Sequence, residues 1–189
     1  MWILLVAAVV IVFWVIGAYN GLIVLKNRVL NGWKQIDVQL KRRHDLIPNL
    51  INTVKGAMNF ERETLEAVIS ARNKAMGAQG VSATAKAEGE LTQALGKLFA
   101  LTEAYPDLKA TGNIAQLQEE LTSTENKIAF ARQLYNDEAT LYNTKQAQFP
   151  TNMVAGLAKA SPAELWQIED AGERAVPNVD LSFNKPPSV

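Results

Sequence analysis

The sequence predicts an all-α protein: an N-terminal transmembrane helix running on into a long antiparallel four-helix bundle, then a short helix and an extended tail. Three observations carry that prediction. The first 25 residues hold no charged side chain, the first being Lys26. Beyond them, apolar residues recur in steps of three and four, the period of a helix with one buried stripe. No strand-rich stretch or βαβ spacing interrupts the pattern. The expected organisation is a membrane helix over 1–25, a bundle over 26–160, and a short helix with an extended tail over 161–189.

Residues 1–16, MWILLVAAVVIVFWVI, are apolar throughout. As a helix, 25 uncharged residues span about 37 Å, more than the roughly 30 Å hydrocarbon core of a bilayer. A cleaved signal peptide needs a basic n-region and a small-residue cleavage site, neither of which precedes Lys26, so a retained helix is expected. Between Lys26 and Arg43 lie six basic residues against Asp37 alone, a net of +5, while residues 44–189 sum to −5. The positive-inside rule then places the N-terminus outside and the bundle in the cytoplasm.

Each later element follows from its stripe. Trp33, Ile36, Leu40, His44, Ile47, Leu50/Ile51, Val54 and Met58 predict one helix, or two nearly coaxial ones, from residue 2 to 58. Pro48 lies inside it and removes an amide donor facing the His44 carbonyl, so a kink is expected at 44–48. Gly56 and Asn59 mark a turn. A second helix is expected over about 60–78, with Leu65, Val68/Ile69, Arg72 and Met76 on one face. Gly77 and Gly80 break it, and Ser82 is the expected cap of a third helix over 83–104, striped by Leu91, Ala94/Leu95, Leu98 and Leu101. Tyr105-Pro106 and Gly112 punctuate the next turn, and Asn113 with Gln116 has capping-box spacing.

The fourth helix keeps a coiled-coil rhythm through Leu117, Leu121, Thr124, Ile128, Ala131, Tyr135, Glu138/Ala139 and Tyr142, a pattern that favours left-handed antiparallel packing. Tyr135-Asn136 and Tyr142-Asn143 repeat one heptad apart; they either set register within the bundle or line a subunit interface. Phe149-Pro150 ends the helix. Ser161-Pro162-Ala163-Glu164 has the N-cap, N1 and N3 residues of a short helix through about Glu169. Pro177, Pro186 and Pro187 predict an extended tail.

Composition excludes several chemistries. The chain has 189 residues, 19 basic and 19 acidic side chains, one histidine and no cysteine. Balanced charge argues against a nucleic-acid binder. Without cysteine there is no thiolate metal site, disulfide or thiol nucleophile, and one histidine cannot build a ferritin-type carboxylate site. No GxSxG, HExxH, P-loop, GxGxxG or CxxC spacing occurs. Acidic pairs such as Glu61/Glu63, Glu119/Glu120 and Asp137/Glu138 read as helix-surface charges. No enzymatic activity, cofactor or metal is expected.

The remaining candidates are structural or membrane-facing. Lys26 and Arg28 stand where lipid headgroups lie. Lys41, Arg42 and Arg43 form a candidate basic interaction face, but they lie some 24 Å further along the helix, beyond a Debye length of about 8–10 Å. A solvated face, or one paired with Asp37, Asp45 and acids of the fourth helix, is the plainer reading. His44, on the apolar stripe beside Pro48, is expected to hydrogen-bond across the bundle to Asn136, Asn143 or a carboxylate.

The stretches NRVLNGWKQIDVQLKRRHDLIPNLINTVKG (27–56), EAVISARNKA (66–75), ALGKLFALTEAYPDLKATGN (94–113), LQEELTSTENKIAFARQLYNDEATLYNT (117–144), FPTNMVAGL (149–157) and PAELWQIED (162–170) together resemble the LemA family. The chain departs from it at Phe60, where the family often has a histidine before the glutamate corresponding to Glu61. The resemblance implies a bacterial membrane-anchored helical bundle, at the inner membrane, without an accepted enzymatic activity or catalytic residues. The expected function is a self-associating scaffold, ring-like assembly included, because the first and fourth helices outreach the second and third. The alternatives are an adaptor for another membrane protein, such as a protease or transporter, and a lipid-binding or membrane-shaping protein.

Overall fold

A computed structural model describes residues 1–55, 61–105 and 112–167. Among them are α1 (Trp2–Lys55), α2 (Arg62–Gly77), α3 (Val81–Thr102), α4 (Gly112–Ala147) and the single turn α5 (Asn152–Ala155). The described residues contain no strand. Met58, the Gly56/Asn59 turn, Phe60, Pro106 and the tail from 168 lie outside the described residues.

The first helix is one piece, with 54 residues from Trp2 to Lys55. At about 1.5 Å per residue it is some 80 Å long. None of residues 1–21 is buried, whereas Leu22 is 1% exposed. The apolar N-terminal stretch therefore has no protein partner, and the bundle begins at its last turn. Leu22 and Leu25, within the stretch assigned from sequence to the membrane helix, pack against the bundle core.

Beyond Leu22 the stripe is buried as its spacing requires. Val29, Ile36, Leu40, Ile47, Leu50, Ile51 and Val54 face inward. On α4 the buried set is Ile114, Leu121, Thr124, Ile128, Ala131, Tyr135, Ala139 and Tyr142. The two helices run antiparallel and pair along their length. Register is fixed where Gly32 meets Tyr135: a Cβ on Gly32 would lie 3.2 Å from the Tyr135 Cα. Glycine here is a requirement of approach distance.

The hairpin of α2 and α3 closes one end. Leu65, Val68, Ala75, Ala87, Leu91, Leu95 and Leu98 pack with Ile47, Leu50, Ile51 and Val54 of α1 and with Ile114 and Leu121 of α4. Along the rest of the stalk α1 and α4 pack with residues 155–166 instead. Three details differ from expectation. Ala75, rather than Met76, faces inward, leaving Met76 more than half exposed. Gly80, with φ of +83°, precedes α3, so Ser82 lies inside the helix; the link between α2 and α3 needs a positive φ that serine adopts only at a cost. Likewise Asn113 falls inside α4.

The short helix expected from Ser161 does not form: Ser161–Gln167 has no helical residue. The segment is instead an extended strap bound by the tyrosine and asparagine side chains of α4. Asn143 Nδ2 donates to the Ala163 carbonyl at 2.8 Å and its Oδ1 accepts from the Ala163 amide at 2.7 Å. Asn136 does the same with Trp166, at 3.0 and 2.9 Å. Tyr135 Oη donates to the Glu164 carbonyl at 2.6 Å, and Gln146 Nε2 to the Ala160 carbonyl at 3.0 Å. Each such bond contributes about 0.5–1.5 kcal/mol net, and together they outweigh the local capping signal. The Trp166 ring lands 6.0 Å from that of Trp33, which itself meets Tyr135 edge-on at 5.6 Å.

Two tests follow from this packing. Gly32→Leu is expected to lower stability by about 1–3 kcal/mol through overpacking, read as a lower thermal midpoint by circular dichroism in mild detergent. Burial raises the Tyr135 phenol above its ordinary value, with the nearby Glu164 charge adding to the effect. The strap is thus fully held below the ordinary tyrosine range, near pH 10. It is loosened, by the loss of one bond among six, as pH rises through the raised folded value, because tyrosinate has no proton to donate. Limited proteolysis at 160–167 against pH should show this transition, and Tyr135→Phe should abolish its alkaline step.

Candidate functional site

The gap that His44 leaves in the apolar stripe of α1 is filled by a charged cluster. Arg43 and His44 sit at core positions, 4% and 8% exposed, and Glu88 of α3 faces them at 4%. His44 Nε2 hydrogen-bonds Glu88 Oε1 at 2.6 Å. Arg43 Nη1 donates to Glu88 Oε2 at 3.2 Å and its Nη2 to Thr92 Oγ1 at 2.8 Å. The same Nη1 lies 3.0 Å from Glu125 Oε2 of α4, an ion pair whose angle falls outside a hydrogen bond. One guanidinium thus joins three helices.

Pro48 explains a further member. Its missing N–H leaves the His44 carbonyl without its helical donor. Arg72 of α2 supplies one, its Nε donating to that carbonyl at 2.8 Å. The helix runs on through Pro48 without a break. All four long helices therefore converge on two consecutive residues of α1, through Arg72, Glu88 and Glu125.

The sequence-derived candidates divide on this geometry. His44 has a carboxylate partner, Glu88, and Pro48 lies inside the continuous α1; Asn136 and Asn143, the other candidates for the partner of His44, hold the strap. Arg43 does not belong to the basic face with Lys41 and Arg42, because the helical period turns it inward from its two neighbours. Lys41 pairs at 3.2 Å with exposed Asp45, and Arg42 is exposed. Lys26 and Arg28 are exposed just past the last unburied turn. Glu88, Thr92 and Arg72's carbonyl contact were not singled out. The available signal was register: Thr84, Glu88, Leu91, Leu95 and Leu98 form one stripe, and Glu88 stands where an apolar residue belongs.

Chemically, the charges of the cluster are paired with one another. Arg43 occupies the space between Glu88 and Glu125 where a cation would neutralise them, and the histidine nitrogen facing Glu88 is already bonded. Among the described residues no group of three or more histidine, aspartate or glutamate side chains is placed to hold a metal ion. Such a network fixes which helices meet and at what height.

A second feature is open to its surroundings. Where neither the hairpin nor the strap covers the stalk, Lys34, Gln35, Val38 and Gln39 of α1 and Lys127, Phe130, Ala131 and Leu134 of α4 line a groove of about 400 Å³. Phe130 is 73% and Val38 62% exposed.

A helical bundle carried on the end of its own apolar helix defines a membrane-associated helical protein. Comparison with known proteins gives its family. The LemA family profile matches residues 32–181. Protein LemA of Metamycoplasma hominis is 32% identical over 142 residues, 74% of this chain and 64% of that protein. Magnetosome protein MamQ 2 of Paramagnetospirillum magneticum is 31% identical over 97 residues, 51% of this chain and 36% of that protein. Magnetosome protein MamQ of Magnetospirillum gryphiswaldense is 22% identical over 184 residues, 84% and 68% of the two chains. The chain belongs to the LemA family. It spans less than two thirds of the length of the first two of these relatives.

The cluster makes a sharp prediction. Glu88→Ala leaves Arg43 and His44 buried and short of partners, and should cost about 3–5 kcal/mol. Glu88→Gln, which keeps a hydrogen-bonding side chain of the same shape, should cost less. Urea unfolding in mild detergent, followed by circular dichroism, measures both.

Proposed function

We propose that this protein is a non-catalytic scaffold, anchored in the bacterial inner membrane by α1, whose stalks associate side by side. The observation that carries the proposal is the groove between α1 and α4. An apolar floor set between lysines, left uncovered by both the hairpin and the strap, has the character of an interface. The length mismatch within the bundle explains why it exists: α2 and α3 have 16 and 22 residues against 54 and 36 in α1 and α4. Identical copies anchored in one bilayer share a common height, so grooves meet at the same level, and closed symmetry is the usual outcome.

The orientation proposed is N-terminus outside and bundle in the cytoplasm, from the basic excess between Lys26 and Arg43. The relatives' names support a structural role, since magnetosome protein denotes a component of a cellular structure and no reaction.

Mass photometry of the full-length protein in mild detergent tests the association. The expected result is an oligomer that shifts to monomer in the Val38→Asp/Phe130→Asp double variant, with helical content unchanged. A wild-type monomer at every concentration contradicts the proposal and leaves the groove to a different protein.

A further inference from the structure

We infer that the turn following α4 is a foot that rests in the membrane surface beside the span. It is built of i→i−4 bonds, Asn152 to Gln148, Ala155 to Thr151 and Ala158 to Val154, interleaved with the tighter i→i−3 bonds of Met153 to Pro150, Val154 to Thr151 and Lys159 to Gly156. One face of the turn packs inward: Val154, Ala155 and Ala158 are buried, and Ala155 and Ala158 share a core with Leu22 and Leu25. The other face is apolar and bare. Phe149, Met153 and Leu157, spaced four apart, are 79%, 72% and 71% exposed. Residues four apart on such a turn lie on one side.

Height along α1 identifies what covers that side. Gly32 lies against Tyr135 in an antiparallel pair, which brings Ala147, the end of α4, level with Asn20. Residues 2–21 span about 30 Å, the thickness of the hydrocarbon core. The foot therefore stands where α1 leaves lipid, and its bare face meets the bilayer boundary without any movement of the bundle. Amphipathic turns seat themselves at this depth.

Charge points the same way. Residues 21–36 and 139–163 carry five lysines and arginines (Lys26, Arg28, Lys34, Lys145 and Lys159) and no aspartate or glutamate. Lys26, Arg28, Lys145 and Lys159 are exposed. This collar faces the headgroup layer, where anionic lipids attract basic side chains. The foot gives the bundle a second attachment beside α1, which fixes its tilt and rotation on the membrane. It also explains why so apolar a face is tolerated outside the core.

The inference rests on the reading that residues 2–21 cross a bilayer, and the test separates the two. The chain contains no cysteine, so single-cysteine variants can carry an environment-sensitive fluorophore. Met153→Cys and Leu157→Cys probe the foot, Val10→Cys the span, and Asp137→Cys the aqueous side of α4. Full-length protein is reconstituted into phosphatidylcholine vesicles containing phosphatidylglycerol. Probes at 153 and 157 should show blue-shifted emission, quenching by lipid-borne nitroxide and resistance to aqueous iodide, while the probe at 137 shows the reverse. A lipid-quenched probe at 10 with iodide-accessible probes at 153 and 157 overturns the foot and keeps the span. Probes at 153 and 157 shielded from both quenchers also overturn it, since a protein surface then covers the face. An iodide-accessible probe at 10 overturns span and foot together.

Discussion

Two solvents meet on α1 with no joint between them. Residues 2–21 expose apolar side chains all round, and from Leu22 onward the same helix buries a single stripe. A bundle attached through a flexible linker would take any pose relative to the bilayer. Here the pose is inherited from a continuous helix, because a sharp change of direction needs a kink and none of its usual causes, such as proline, lies between the apolar stretch and the Arg43–His44 layer. Everything packed on α1 acquires a defined height above the membrane: the foot at its exit, the strap and groove along the stalk, the hairpin at the far end.

The polar cluster makes that arrangement specific. Apolar stripes on four helices tolerate sliding by a heptad, since one layer of leucine and isoleucine resembles the next. Arg43 and His44 have partners at only one height, where Glu88, Thr92 and Glu125 meet them. The loss of the Pro48 amide adds a further constraint, because the His44 carbonyl it leaves open is taken by Arg72. Gly32 against Tyr135 fixes the same register at a second point, so α1 and α4 are pinned at two places about 17 Å apart at 1.5 Å per residue.

Much of this was legible in the residues themselves. The periodicity from Trp33 to Val54 and the rhythm of α4 predicted the long antiparallel pair, because a stripe is a local property of sequence. The partner of His44 was foreseen as Asn136, Asn143 or a carboxylate across the bundle, and Glu88 takes that place. Arg43 was foreseen with Lys41 and Arg42 on a solvated face or one paired with Asp37, Asp45 and acids of the fourth helix. It does pair with Glu125 of α4, but the helical period turns it inward, onto Glu88 as well. Glu88 sat on the stripe of α3 yet resembled the many glutamates around it, and only a buried partner on another helix distinguishes it. The strap was missed for a different reason. Ser161-Pro162-Ala163-Glu164 carries a genuine helix-start signal, which long-range bonds from Asn136, Asn143 and Tyr135 override. Their repeat one heptad apart was visible; that its partner is a backbone rather than a side chain was not.

Amide hydrogen exchange of the full-length protein in lipid nanodiscs tests the central claim, that one uninterrupted helix couples the bilayer to the bundle. Slow exchange is expected without a break from the apolar stretch through Gly17, Gly21 and Leu22 to the Arg43–His44 layer. A rapidly exchanging segment between Gly17 and Leu25 would reveal a hinge, and with it a bundle whose height and tilt the anchor does not set.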